Sequence, residues 1–378
     1  MKKLAILNVV LVFSLLIGSV ALAADDILGD ADNYFSGGTK NISADAIFEN
    51  LNDGDDSNNP YIISVRSQED YDKGHIPTAV RMDPKTLFTP ENLATLPTDQ
   101  QIVVYCYTGQ TASQVSAALN MLGYDAYNLL FGFGAWNSDP NAGSVIFDET
   151  KQGNDFPTTT DPTIVTMIAH PPATPMADTT QAAANAYFGG GTKNIPAADL
   201  YDNLNDGDAS NDPTVISVRS EGDYTDQGHI PGAIWLDVTA MFSPDGLVGV
   251  DPERPVVVYC YTGQTASQVT AALNILGYDA SNMLFGMQAW TMDDDVRVRM
   301  FDAATHVFNY PYEGTAAGQA AEETTEETAT EETTTEEAAE PEAMPETGGA
   351  AIPVEAVLVA FGALSAGTGL YLRRRKAA

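Results

Sequence analysis

The stretch QIVVYCYTGQTASQVSAALNMLGY at 101–124 returns as PVVVYCYTGQTASQVTAALNILGY at 255–278. A segment this long, repeated almost unchanged, has to fold the same way twice, so whatever architecture one copy adopts, the molecule holds two. The likeness runs further upstream. YFSGGTKNISADAIFENLNDGDDSNNPYIISVRSQEDYDKGHIPTAV at 34–80 pairs with YFGGGTKNIPAADLYDNLNDGDASNDPTVISVRSEGDYTDQGHIPGAI at 187–234, with one residue inserted between Arg219 and His229. Downstream, NLLFGFGAW ending at Trp136 pairs with NMLFGMQAW ending at Trp290.

Within a copy, apolar runs alternate with helical spacing. ADAIFENLN has helical periodicity, YIISV is a short buried strand, EDYDKG a brief helix and QIVVY an all-apolar strand. ASQVSAALNMLG then predicts a helix closed at Gly123, and DAYNLL a further strand. Strands alternating with helices predict an α/β fold, a parallel sheet flanked by helices in each copy. The domains are expected at 24–150 and 180–313, joined by a Pro-, Thr- and Asp-rich linker at 151–179.

The two ends read differently from the copies. MKKLAILNVVLVFSLLIGSVALAADD has two lysines, an apolar run and small residues before an acidic pair, the pattern of a signal peptide at 1–23 and hence of export. Residues 314–347 form an acidic stalk rich in Glu and Thr, with too little to bury and like charges that keep it extended. Residues 348–378 hold an apolar run from Ala356 to Leu372 followed by RRRK, a C-terminal hydrophobic anchor whose arginines stay on the cytoplasmic side. The preceding MPETGG resembles the sorting signal of cell-wall proteins processed by sortases, with Met344 where Leu is usual and Thr347–Gly348 as the bond to be cut. Cell wall and cell membrane both remain open as the attachment, and either holds the protein extracytoplasmic. The formal net charge of −35 excludes a basic nucleic-acid surface.

The chain has only two cysteines, one in each CYTGQTAS loop. In a parallel sheet ligands bind beyond the carboxyl ends of the strands, where Cys106 and Cys260 fall. A cysteine at a strand end, then a tight turn through Gly109 or Gly263, then a helix, gathers backbone N–H groups at one point. Those amides and the helix dipole favour an anion there, a thiolate or an anionic substrate. Thr108, Thr111, Thr262 and Thr265 add hydroxyl donors.

The order SVRSQEDYDKGHIP, VVYCYTGQTAS, FGFGAW resembles the rhodanese family over essentially the whole of each copy. The resemblance implies two tandem rhodanese-like domains, each a five-stranded parallel sheet wrapped by helices. It also implies sulfurtransferase chemistry: the cysteine takes sulfane sulfur from thiosulfate, polysulfide or a related anion, becomes a persulfide, and passes the sulfur to a thiol or cyanide. Cys106 and Cys260 match the nucleophile. Tyr107, Thr108, Gly109, Gln110 and Thr111, with Tyr261, Thr262, Gly263, Gln264 and Thr265, match the substrate-binding loop. Arg66, Arg219, His75 and His229 fall in framework motifs. The chain departs from the family pattern in having Ser64 and Ser217 where an acid is common before V-R, and in having no Lys or Arg in the loop. No cofactor is implied.

Other readings of the same residues carry different expectations. A disulfide between the cysteines would need the two loops docked face to face. His75 and His229 are expected as turn histidines held by backbone, and Arg66 and Arg219 as ion-paired to Asp70 and Asp223 or a neighbouring carboxylate. No Cys or His lies at metal-ligand spacing, and Asp53, Asp55, Ser57 and Asn59, in a loop that resembles a calcium site, are expected to form an Asx-rich turn. A phosphatase of this fold needs Arg five residues after the cysteine, where this chain has Thr111 and Thr265, each followed by Ala. A binding module that holds or relays sulfur for a membrane sulfur-metabolising partner is the alternative to an enzyme.

Overall fold

The structure, a computed structural model, describes residues 26–163 and 168–316. The segments expected as signal peptide and C-terminal anchor, and nearly all of the expected stalk, lie outside them; among the described residues no helix is long and apolar enough to cross a membrane.

The first copy contains β1 (Asn41–Ile42), β2 (Tyr61–Ser64), β3 (Val80–Arg81), β4 (Ile102–Tyr105) and β5 (Ala126–Leu129). The second contains β6 (Asn194–Ile195), β7 (Thr214–Ser217), β8 (Ile234–Trp235), β9 (Val256–Tyr259) and β10 (Ala280–Met283). Each set forms a five-stranded sheet, ordered β1-β5-β4-β2-β3 and β6-β10-β9-β7-β8, and every pairing is parallel. Central strands of such a sheet are covered on both faces, which is why β4 and β9 are apolar throughout and buried at all four positions. The first-copy helix Gln68–Lys73 becomes a π-helical turn over Asp223–Gln227 in the second, the single inserted residue being taken up as a wider turn.

The copies share a core. Val115 and Leu119 on the helix Gln110–Met121, and Val269 and Leu273 on the helix Gln264–Ile275, belong to one cluster with Phe35, Phe88, Phe188 and Phe242. Phe35 packs tilted against Phe242 with centroids 4.5 Å apart, and Phe88 stacks on Phe188 at 4.4 Å, so each pair joins the two copies. These helices have buried polar residues on several sides, and Gln114 and Gln268 among them bond across the junction. Tyr187 donates to Gln114 Oε1 at 2.5 Å, Gln114 Nε2 donates to Asn194 Oδ1 at 3.3 Å, and Tyr34 and Gln268 make the equivalent pair.

The chain also exchanges its trailing segments. Residues 154–159, inside the expected linker, lie along the second copy: Phe156 stacks on Tyr201 at 4.0 Å, and Trp290 Nε1 donates to the Pro157 carbonyl at 2.9 Å. Residues 308–313, at the end of the expected second domain, return to the first copy. Tyr310 stacks on Phe48 at 3.9 Å, Trp136 Nε1 donates to the Pro311 carbonyl at 2.8 Å, and His75 and Glu313 exchange backbone hydrogen bonds. Each outer core therefore closes on a strap that follows the other copy.

Candidate functional site

Cys106 leaves the end of β4 and Cys260 the end of β9, 4% and 2% exposed, and both are free thiols. The turn after each is made by a glycine in the left-handed region, Gly109 at φ 87° and Gly263 at φ 85°, after which the helix starts without a side-chain cap. Helices elsewhere in the chain begin on Ser43, Ser67 or Thr179, whose hydroxyls accept from the first turn. At the cysteine loops the leading N–H groups keep no such partner.

The loop carbonyls are engaged from the other side. Phe133 N donates to the Cys106 carbonyl at 2.9 Å and Gly134 N to the Tyr107 carbonyl at 3.1 Å; Met287 and Gln288 do the same for Cys260 and Tyr261 at 2.9 and 3.2 Å. With its carbonyls bound to the following segment, the loop presents its amides, a concavity suited to an anion. Gly132 and Gly286 allow this approach: a Cβ at Gly132 would lie 2.6 Å from the Cys106 carbonyl oxygen, and one at Gly286 2.5 Å from that of Cys260. These two glycines and the Phe before each, held at φ 61° and 62°, were not singled out in the sequence as site residues. The F-G pair shared by NLLFGFGAW and NMLFGMQAW was the available signal.

Tyr107 and Tyr261 are tied through their hydroxyls to the turn after V-R. Tyr107 donates its hydroxyl to Asp70 Oδ2 at 2.6 Å and accepts from Ser67 N at 3.2 Å, while Tyr261 donates to Asp223 Oδ2 at 2.5 Å and accepts from Ser220 N at 3.0 Å. The Tyr107 hydroxyl is the main reason the Asp70 carboxyl is held down at about 2, with Lys73 and Ser67 adding to it; Asp223 is lowered in the same way, chiefly by Tyr261. The tyrosines pin the loop to the turn after V-R.

The expected ion pairs of Arg66 with Asp70 and Arg219 with Asp223 are replaced by carbonyl contacts. Arg66 donates to the carbonyls of Gly74 (2.8 Å), Ala142 (2.7 Å) and Gly143 (2.9 Å), and lies 4.2 Å over the Phe133 ring. Arg219 donates to the carbonyls of Val296, Asp223 and Gly228. A planar fork of donors ties separate chain segments together at once, which a single carboxylate could not do. His75 and His229 stack on Tyr71 and Tyr224, and Nδ1 of each bonds to the carbonyl of the same tyrosine, at 2.8 and 2.9 Å. They tie turns together.

Gln110 and Gln264 depart most from the expected loop. Each is 2% exposed and its side chain crosses into the other copy. Gln264 Oε1 accepts from Phe131 N at 3.1 Å; Gln110 Oε1 accepts from Phe285 N at 3.1 Å and from Asn282 Nδ2 at 2.8 Å. Their side chains brace the two loops against each other, and only their backbone remains with the cysteines. Thr111 and Thr265 sit half-buried in the first helical turn. The structure brings Thr108 and Thr262 together: both line one narrow cleft of about 10 Å³, with Ile146, Phe147, Phe131, Phe285, Phe301 and Gln288. The two cysteine loops thus border a common cleft. The Asp53 turn closes on itself instead, Asp53 accepting from Asp55 N at 2.7 Å and Asn58 Nδ2 at 2.9 Å.

A rhodanese-like domain model matches residues 43–139 and again 196–293, together just over half of the chain. The chain belongs to the rhodanese-like domain family. Each match includes a cysteine loop and the glycine that passes over it. Rhodanese-like domains suggest sulfurtransferase or sulfur-binding function. Among solved structures the chain is similar to a rhodanese-like domain protein from Staphylococcus aureus, 27% identical over 26% of this chain and 92% of that one, with a TM-score of 0.24. It is also similar to a protein from Staphylococcus saprophyticus subsp. saprophyticus, 23% identical over 25% of this chain and 90% of that one, with a TM-score of 0.23. Comparison with curated proteins gives no match.

Proposed function

We propose that the protein is an extracytoplasmic sulfurtransferase with a nucleophile in each copy. The observation that supports this is the loop itself: a free thiol at a strand end, carbonyls engaged behind it, and an uncapped helix start after it. The Cys106 or Cys260 thiolate attacks the outer sulfur of thiosulfate or the sulfane sulfur of a polysulfide. A new S–S bond forms, the donor S–S bond breaks, and sulfite or the shortened polysulfide leaves with the electron pair. Loop amides hold the anionic persulfide, and a thiol or cyanide then takes the outer sulfur and returns the thiolate. Export and attachment to membrane or wall rest on the sequence at the two ends.

The burial of both thiols and the narrowness of the cleft favour a second reading, a carrier that holds sulfane sulfur until a membrane partner takes it. Incubation with thiosulfate or polysulfide, followed by intact mass and by thiocyanate release on adding cyanide, separates the two. Persulfide on both cysteines with many turnovers is the result expected of the enzyme. One load per domain with slow release is the result expected of the carrier, and no load on either cysteine would remove both.

A further inference from the structure

The two cysteine loops have the same sequence, but the segments that follow them do not. After the aligned tryptophans, Trp136 and Trp290, the chains run in register without a gap, so that Gly143-Ser144-Val145 of the first copy stands where the second has Arg297-Val298-Arg299. The two arginines have different surroundings. Arg297 is 9% exposed and fully committed, to Glu149 at 2.6 Å and to Asp294 at 2.9 Å. Arg299 is 66% exposed, and its one ion contact among the described residues is Asp223 Oδ2 at 3.6 Å. Its guanidinium lies 4.9 Å over the ring of Tyr261, the residue next to Cys260, and the backbone two residues on places Phe301 in the cleft beside Thr262.

A difference beneath the segment accounts for this placement. In the first copy Gly134 lets the segment lie directly on it, since a Cβ there would come 2.4 Å from the Val145 carbonyl oxygen. The second copy has Gln288 at that position, whose side chain fills the space and accepts from Phe301 N at 2.9 Å. The segment passes over Gln288, and Arg299 takes φ 58°, a left-handed conformation uncommon for a residue with a side chain. At the corresponding place the first copy offers Val145, 42% exposed and uncharged. The cations there are Arg66, 5.1 Å over the Tyr107 ring but buried and engaged by carbonyls, and Lys73, bound between Glu69 at 2.9 Å and Asp70 at 3.0 Å. Around Tyr261 the charged groups are Arg299, Asp223 and Arg219, and Arg219 is buried and engaged by carbonyls.

We propose that Arg299 makes the Cys260 loop the site that receives anionic sulfur donors, and that the Cys106 loop, with Val145 in its place, lacks this preference. The inference rests on the sulfurtransferase reading for its natural substrate but not for its test. Arg299 is a specificity-determining residue. It stands at the edge of the loop, in contact with Tyr261, and attracts a dianion such as thiosulfate to a surface that is otherwise strongly acidic. The transfer itself is unchanged: the Cys260 thiolate bonds to the outer sulfur and sulfite departs with the electrons of the broken bond.

The test compares an anionic with a neutral alkylating agent, iodoacetate with iodoacetamide, on the full chain, and reads the rate at each cysteine by peptide mass. Each reagent gives a thioether and iodide, so the ratio of the two rates reports charge at the thiol and not sulfur chemistry. The ratio is expected to be about threefold or more higher at Cys260 than at Cys106. Arg299→Gln should lower it at Cys260 to the Cys106 value, Arg299→Lys should keep most of it, and Val145→Arg should raise it at Cys106. Persulfide loading from limiting thiosulfate should follow the same order in the same variants. Equal ratios at the two cysteines, or a ratio at Cys260 unmoved by Arg299→Gln, would overturn the proposal. If neither reagent nor thiosulfate reaches Cys260, it is overturned as well. A ratio that moves as expected without persulfide loading would leave Arg299 as an anion-attracting residue and remove the sulfurtransferase reading alone.

Discussion

Gln110 Oε1 accepts the backbone N–H of Phe285 at 3.1 Å, so the residue that ends one cysteine turn holds the backbone that shapes the other. Phe285 is in the left-handed region and immediately precedes Gly286, which passes over the Cys260 carbonyl. Gln264 does the same for Phe131 and hence for the approach to Cys106. Each site is built partly by the opposite copy. Gln110→Ala should therefore leave the Phe285 amide without its acceptor and Asn282 Nδ2 with Asn194 Oδ1 alone, at a cost of about 1–2 kcal/mol. Denaturant unfolding should show that loss in one transition, and the Cys260 loop, not the Cys106 loop, should become the more reactive toward a neutral alkylating reagent.

Tyr107 and Asp70 predict a pH dependence. Asp70 is depressed in the folded protein to about 2, chiefly by the Tyr107 hydroxyl. A carboxylate with a lowered folded value contributes stability that is fully present above its unfolded value near 4 and is lost as the pH falls through about 2. Tyr107→Phe should raise the Asp70 titration toward the ordinary carboxylate range, as read by carboxyl NMR. Thermal stability of the variant should fall less steeply than wild type between pH 4 and 2. A titration unchanged by the substitution would exclude the hydroxyl as the cause.

The sheet, its helices and the position of the cysteines were legible because they depend on local pattern. QIVVY can only be a strand buried on both faces, and the Thr-Gly turn before ASQV can only start a helix from a left-handed residue. The exchange between copies was not legible, since periodicity reports that a face is buried and not against which copy. Phe156 and Tyr310 each precede a proline, and only their stacking on Tyr201 and Phe48 shows what they cover. Gln110 misled for a related reason: a polar residue in a substrate loop reads as a ligand contact, yet its side-chain oxygen is taken up by the other copy. Arg66 was expected to meet a carboxylate, but the carbonyls of Gly74 and of the Ala142–Gly143 turn take its terminal N–H groups.

Tyr310 tests the exchanged straps. Its ring lies flat on Phe48 at 3.9 Å and its hydroxyl donates to Asp45 at 2.7 Å. Tyr310→Ala should cost about 1–3 kcal/mol and should act on the first copy, although the residue follows the second in sequence. Hydrogen exchange should show lost protection around Trp136 and His75, with amides near Trp290 and His229 unchanged. Phe156→Ala should reverse the pattern. Loss around Trp290 in the Tyr310 variant would mean that each strap serves the copy it follows.

The acidity of the chain bears on the rate of loading. With a formal charge of −35, the protein should slow the approach of an anionic donor at low salt, and screening over a Debye length of roughly 8 Å at 0.15 M should relieve that. The kcat/KM for thiosulfate should rise as inert salt is added from about 0.01 to 0.15 M. A fall across that range would mean that local attraction at the loops outweighs the field of the whole molecule.

Both copies keep the thiol, the left-handed glycine, the uncapped helix start and the glycine that passes over the loop. A copy retained only as scaffold would not need all four, so Cys106 and Cys260 should both turn over. Cys106→Ser and Cys260→Ser should each keep part of the thiocyanate formation from thiosulfate and cyanide, and the double variant none. The two remainders should be unequal. Cys106→Ser, which leaves the loop beside Arg299, should retain the larger share with thiosulfate at limiting concentration, and saturation should narrow the gap because a charge that steers approach acts on KM more than on kcat. If either single variant lost all activity while remaining folded, the other cysteine would be a structural thiol or a relay, and the two loops would act in series.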